Sequence, residues 1–551
     1  MNKYISIFFI AFLISNTANA QELLRNKKDV FTKQDTLRGS ITKERAWWDV
    51  KYYHLDIKVN PADSTISGSN IIRYKVLNSY NRMQIDLQEP LKITKVTQEG
   101  KELKYKRDGN VFYIDLFSPQ NVGEIKELQV FYGGKPKIAV LPPWNGGITW
   151  SKDANGKPFI ASTCQGLGAS VYWPNKDHMY DEVDDMLISV NVPKNLTDVS
   201  NGRLQSVTDL KDGTRTFTWY VSNPISNYGV NINIGDYASF SEVYKGEKGD
   251  LDCEYYVLRD NLAKSKTHFQ EVPRMLKAFE HWFGPYPFYE DSYKLVEAPY
   301  LGMEHQSCVA YGNGFKNGYQ GTDWSGTGWG LKFDYIIIHE SGHEWFANNI
   351  TYKDIADMWI HESFACYSES LFVEYYYGKD AGSEYARGLR KNIQNENPII
   401  SHYDVNNESY GTDMYFKGAN VLHTLRQIVN NDEKWRTILR GLNSAFYHQT
   451  VTSKQIEDYL SQQIGLDLKS FFDQYLRDIR IPTLEYKVQG NNLEYRWTNC
   501  VSDFNMPVKV KVNGKGQWLK PQSEWIIMLK TPKDLKLEVD KDFYVNVVKS
   551  K

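Results

Sequence analysis

The chain has 551 residues, 41% of them hydrophobic and 24% charged, with 65 Lys and Arg against 67 Asp and Glu for a formal net charge of -2. That length exceeds one ordinary domain, and the composition excludes a disordered or collagen-like chain. Balanced charge without a basic block also excludes the electrostatic footprint of a nucleic-acid binder.

Residues 1–20, MNKYISIFFIAFLISNTANA, combine Lys3, an apolar run from Ile5 to Ile14 and the small-x-small triplet Ala18-Asn19-Ala20. This is the pattern of a cleaved signal peptide. The run is short for a ~30 Å hydrocarbon core, and Gln21 stands where a lipoprotein needs Cys. A secreted or periplasmic mature chain with no membrane span is expected. Period-two alternation then fills residues 47–240, as in Leu55, Ile57 and Val59 or Ile188, Val190 and Val192, and predicts an N-terminal antiparallel β domain over 21–243. The period changes at 261–282, an amphipathic helical pattern stopped by Gly284-Pro285, and helical patterns continue over 333–349, 359–377, 415–430 and 454–476. Residues 311–330 are rich in Gly and Trp and read as a loop; their GxG pieces lack the strand–helix frame of a nucleotide site. After Ile481-Pro482 the alternation returns, in Leu493 and Tyr495 and in Val508, Val510 and Val512. The fold class expected is therefore multidomain α+β: a β domain, a mainly helical domain over 244–481, and a small C-terminal β-sandwich over 482–551. Cys164, Cys253, Cys308, Cys366 and Cys500 show no ligand spacing and read as buried small hydrophobes with at most one or two bridges.

The segment with chemistry in it is Ile338-His339-Glu340-Ser341-Gly342-His343-Glu344. On a helix His339 and His343 stand at i and i+4, so both imidazoles converge on one metal ion. Glu340, about 100° around the helix, is aimed at a water rather than at the metal. A catalytic zinc takes three protein ligands and leaves one position open. Glu362, on the next predicted helix, is the candidate third ligand, with the adjacent His361 as its competitor. Glu369 lies two helical turns beyond Glu362, on the same face; it either orients a ligating histidine from behind or is a solvated helix-face carboxylate.

HExxH, eighteen residues, then Glu within Trp359-Ile360-His361-Glu362-Ser363-Phe364-Ala365, resembles the aminopeptidase N family of zinc metallopeptidases, the gluzincin aminopeptidases. Further motifs carry the same resemblance in order. Leu301-Gly302-Met303-Glu304-His305 looks like the exopeptidase motif GxMEN, and Tyr415-Phe416-Lys417-Gly418-Ala419 like YxKGA. In the β domain Thr163-Cys164-Gln165-Gly166 and Trp173-Pro174-Asn175-Lys176-Asp177 resemble a substrate-facing strand and loop, and Asn201-Gly202 a recurrent NG turn. The resemblance implies a thermolysin-like catalytic domain that holds one Zn²⁺ through His339, His343 and Glu362. Glu340 would be the general base, and Tyr415 the hydrogen-bond donor to the oxyanion. Gly302, Met303 and Glu304 would bind substrate, with Glu304 gripping the α-amine and Gln165 making a second contact to that end. Peptides with a free N-terminus are the implied substrates. A thermolysin-type endopeptidase, a second activity on lipid epoxides, and a non-catalytic peptide-binding protein on the same fold are the alternatives.

Two departures from the family pattern matter. His305 replaces the Asn of GxMEN and Leu301 its first Gly. With an ordinary histidine pKa, His305 would repel a substrate ammonium on acidification, which predicts an acid limb in the pH profile. The chain also stops soon after its C-terminal β segment, without the large helical domain that commonly caps the cleft, so a more open cleft is expected.

Overall fold

The computed structural model describes residues 30–406, 411–490, 492–529 and 535–551; the expected signal peptide at 1–20 lies outside the described residues. Trp48–Asn60 runs through the middle of an eight-stranded sheet. Leu55, Ile57 and Val59 face its core, while Asp56 and Lys58 face solvent. This strand pairs antiparallel with Thr65–Val76 but parallel with Asp185–Pro193, the latter through a long connection that builds other strands on the way. One of them, Pro158–Thr163, sits in a four-stranded sheet and ends directly before Cys164 and Gln165, which carries Gln165 toward the helical unit.

Tyr237–Gly246, which contains the expected boundary at 243/244, opens a five-stranded sheet with Gly249–Leu258, Tyr293–Glu297, Val309–Tyr311 and, at its edge, Gly302–Met303. The edge strand belongs to both units. It pairs with Val309–Tyr311, while Met303, Tyr300 and Cys308 pack into the core of the β domain. At Gly302 a side chain is excluded, since a Cβ there would lie 2.6 Å from Ile336 and 3.0 Å from Glu340 Oε1.

Three helices position the site: α1 (Tyr335–Gly342), α2 (Trp359–Tyr377) and α3 (Asp413–Val429). Asp334 caps α1 by accepting from the amides of Ile336 at 2.9 Å and Ile337 at 3.2 Å. That cap is itself fixed by Tyr311, Asn313 and His268. Glycine lets α3 approach α2: a Cβ on Gly418 would strike Ser363 Oγ at 1.8 Å.

Three helical readings are corrected. The pattern at 261–282 is two helices, Leu262–His268 and Glu271–Phe283. Pro273 tolerates only the first turn of a helix, because further in its ring would meet the carbonyl four residues back. The pattern at 454–476 divides at Gly465, which adopts φ 84° and ends Ser453–Ile464 before Lys469–Leu476 begins. The helix expected through 349 stops at α1 and breaks at Phe346 and Ala347.

The C-terminal strands form two sheets. One is built on Thr483–Gln489 and Asn492–Thr498, the other on Val508–Val512. All five cysteines are unbridged, and four are buried. Among the described residues no helix is long and apolar enough to cross a membrane.

Candidate active site

His339 in α1 and His343, the residue that caps its C-terminal end, stand at i and i+4 and project toward Glu362 in the first turn of α2. His339 Nε2 lies 3.6 Å and His343 Nε2 3.4 Å from Glu362 Oε2. Four groups held tetrahedrally about 2.0–2.1 Å from one ion stand ~3.4 Å apart, so these spacings are those of ligands sharing a zinc. The other ring nitrogens are already engaged. His339 Nδ1 meets Glu369 Oε1 at 2.7 Å, and His343 Nδ1 meets the carbonyl of Phe346 at 3.0 Å. Each Nδ1 therefore keeps the proton and each Nε2 presents its lone pair to the cluster. Glu362 Oε2 is buried without a hydrogen-bond partner, an arrangement that is costly unless a cation satisfies it. Two imidazoles and one carboxylate fit zinc, and a structural zinc site would be closed and rich in cysteine.

The competing ligand His361 is turned away. Its Nε2 accepts the amide of Tyr352 at 3.0 Å, and its ring lies 4.2 Å from that of Tyr352. Glu369 is buried rather than solvated and receives Tyr385 Oη at 2.6 Å on its second oxygen. A carboxylate behind a ligating histidine raises its basicity and fixes its orientation. Glu369→Gln is expected to weaken zinc binding about 10–100-fold with the fold retained, as read by zinc titration against a competing chelator.

Around the cluster stand two further acids. Glu340 is buried, and that burial pushes its carboxyl up to about 7 against the opposing charge of His339, with Glu304 adding to the rise. Glu304 is buried as well. Burial raises its carboxyl, His343 opposes the shift, and Glu362 reinforces it. Glu304, Glu340 and His343 present atoms within 4.8 Å of one another. Gln165 Nε2 bridges Glu304 Oε1 at 2.5 Å and Glu362 Oε1 at 3.2 Å. Tyr415, near the start of α3, lies with its ring 6.0 Å from that of His339. Burial, then Glu362 and Glu304, hold its phenol far above the ordinary value, so it remains a protonated donor. Gly302 and Met303 form the edge strand that brings Glu304 to this point.

Several participants had no sequence signal. Tyr228 donates to Glu304 Oε1 at 3.1 Å from a segment without a motif. Asn348 donates to the main-chain oxygen of Glu304 at 2.9 Å, and Glu344 accepts the amide of Ser307 at 2.9 Å. The Asn201-Gly202 turn clamps the same loop: Asn201 Nδ2 reaches the carbonyl of Gln306 at 2.7 Å, and the amide of Gly202 reaches Ser307 Oγ at 3.0 Å.

Two expectations are corrected. His305 is buried with both ring nitrogens unpartnered, and burial lowers its pKa to about 3. It therefore stays neutral and places no positive charge against an ammonium, so the predicted acid limb has no source in this residue. Most of the 173–177 loop ties the β domain together instead of facing the cluster, while its last residue, Asp177, lines a cavity with Gly166 and Tyr228. Lys176 Nζ is buried against Asp181 Oδ2 at 2.5 Å, and Asn175 Nδ2 bonds the carbonyl of Trp173 at 2.9 Å.

Residues 50–228 match the Peptidase M1 N-terminal domain, and residues 268–475 the Peptidase family M1 domain. Probable aminopeptidase 1 of Sulfurisphaera tokodaii is 22% identical over 82% of this chain and 59% of its own length. Leukotriene A-4 hydrolase of Xenopus laevis is 22% identical over 75% of this chain and 68% of its own. The chain thus spans about three fifths of the Sulfurisphaera relative. Among solved structures, a mutant M1 zinc metallopeptidase from Deinococcus radiodurans bound to a Tyr-Ser-Ala substrate superimposes with a TM-score of 0.67 at 21% identity, covering 78% of this chain and 94% of that one.

Proposed function

We propose aminopeptidase activity for this chain, which belongs to the peptidase M1 family: zinc-dependent removal of single residues from the free amino end of peptides. The observation that carries the reading is the Gln165 amide, which bridges Glu304 and the ligand Glu362 with contacts of 2.5 Å and 3.2 Å. An amine held by Glu304 is therefore one residue away from a carbonyl at the metal cluster, since the α-nitrogen and carbonyl carbon of one residue are only ~2.5 Å apart. The bound Tyr-Ser-Ala of the Deinococcus radiodurans structure supports a peptide substrate.

One zinc per chain, held by His339, His343 and Glu362, would polarise the scissile carbonyl and acidify a water molecule. Glu340 accepts a proton from the attacking water on its carboxylate and passes it to the leaving amine. The hydroxyl of Tyr415 donates to the oxyanion as the carbonyl carbon becomes tetrahedral. Glu304 pairs with the substrate ammonium, whose pKa is ~8, while the Gln165 amide fixes the carboxylate that receives it. Tyr228 does the same from the other side.

The test is zinc analysis combined with hydrolysis of one peptide in two forms, free and N-acetylated. Zinc near one equivalent per chain is expected, with release of the first residue from the free peptide and none from the acetylated one. Internal cleavage of the acetylated form would instead identify a thermolysin-type endopeptidase.

A further inference from the structure

The helix carrying His339 and His343 does not run on into the next strand. Phe346 (φ -129°, ψ 78°) and Ala347 (φ 158°, ψ -50°) break it, and the chain then enters the short strand Ile350–Tyr352. Two side chains just after the break make the contacts that matter. Asn348 Nδ2 holds the main-chain oxygen of Glu304 at 2.9 Å. Thr351 Oγ1 stands 2.5 Å from the carbonyl oxygen of Ala347 and 2.6 Å from Glu182 Oε1, which comes from the β domain.

These two contacts pose a problem of proton count. A threonine hydroxyl has one hydrogen, and a carbonyl and an ionised carboxylate are both acceptors only. Oxygens this close repel unless a proton lies between them. Shared between two acceptors, that hydrogen leaves two weak bonds; both contacts are full hydrogen bonds only when Glu182 carries a proton, so that its O–H donates to Thr351 Oγ1 and the threonine O–H donates to Ala347. We propose that Glu182 is a positioning residue for Glu304, acting across the domain junction through Thr351, the Ala347 carbonyl and Asn348. The claim rests on the aminopeptidase reading for what Glu304 binds.

The surroundings favour the protonated form. Glu182 is half-buried; the water it loses pushes its carboxyl up to about 7 even though a hydrogen bond donated by Thr351 to the ionised form would lower it, and Asp181 reinforces the rise. Asp181 is itself paired with Lys176 at 2.5 Å. From the helical unit the hydroxyls of Thr351 and Thr450 reach this segment, Thr450 Oγ1 bonding the carbonyl of Tyr180 at 3.3 Å. Lys353, two residues beyond Thr351, lines a cavity with Gly168, Tyr228 and Tyr352. The folded state binds this proton more tightly than an unfolded glutamate, whose pKa is 4.5. The stabilisation is therefore complete below that value and is lost as pH rises through about 7.

Glu182→Gln supplies an N–H donor to Thr351 at every pH and is the diagnostic variant. The full-length, zinc-loaded proteins are compared across about pH 5.5–8.5 by melting temperature and by KM for a free-amine dipeptide. In the wild type the melting temperature should fall with rising pH relative to Glu182→Gln, and KM should rise about threefold to tenfold more. Thr351→Val should raise KM at every pH, and Thr351→Ser should restore it. Parallel melting curves for wild type and Glu182→Gln would overturn the relay. Diverging melting curves with parallel KM profiles would overturn its hold on Glu304. The melting arm needs no turnover, so a protein without aminopeptidase activity would fail the functional reading and the link to substrate while the curves still judge the relay.

Discussion

Glu340→Gln is expected to lower kcat about 10²–10⁴-fold, with zinc content and KM close to those of the wild type. Glu340 leaves α1 beside His339, and its Oε1 faces the backbone of Gly302 across a gap too narrow for a Cβ. Glutamine occupies the same volume and keeps the contact, but it cannot accept a proton from water. What is lost is therefore the proton transfer and not the architecture, and the deficit belongs in kcat. Only the ionised carboxylate serves as the base. Burial raises its pKa and the charge of a bound zinc lowers it again, so activity should fall on acidification, with the limb below about 7. Steady-state kinetics beside metal analysis decide the matter: a Gln variant with zinc bound and kcat unchanged would remove Glu340 from the chemistry.

Replacing Glu304 with alanine should cost about 10²–10³-fold in kcat/KM for a free-amine peptide. It should also shrink the preference over the acetylated form by a similar factor. Glu304 is buried, and its Oε1 is held by Gln165 at 2.5 Å and Tyr228 at 3.1 Å. These two neutral donors aim a single negative charge at the place where an N-terminal ammonium would sit. Without the carboxylate, an ammonium entering the pocket loses water and meets nothing of opposite sign nearby except Glu340 and the ligand Glu362. Zinc binding should persist, because Glu304 is not one of the three convergent ligands. An unchanged ratio between free and acetylated peptides would show that Glu304 does not anchor the amine.

The local and periodic parts of this protein were legible in its sequence. The i, i+4 spacing of His339 and His343 follows from 3.6 residues per turn, and α2 begins at Trp359 and ends at Tyr377 as its pattern predicts. The alternation of Leu55, Ile57 and Val59 is likewise the strand's own period. Breaks within helices were less legible. Gly465 and Pro273 act through a backbone dihedral and a steric clash, which an apolar stripe runs straight over.

Contacts between distant segments were decided by tertiary structure alone. Tyr228 and Glu304 are 76 positions apart, and Thr351 and Glu182 169; no periodicity links such pairs. The charge of His305 is decided in the same way. A pKa is a property of surroundings, and a histidine sealed among neighbours that offer it no hydrogen bond behaves unlike the exposed residue its letter suggests. The sequence by itself determined which side chains a metal could draw together along one helix. Tertiary packing decided which acids stand around them, in which direction burial shifts their pKa values, and how the β domain reaches the site, because burial and proximity arise only when remote parts of the chain meet.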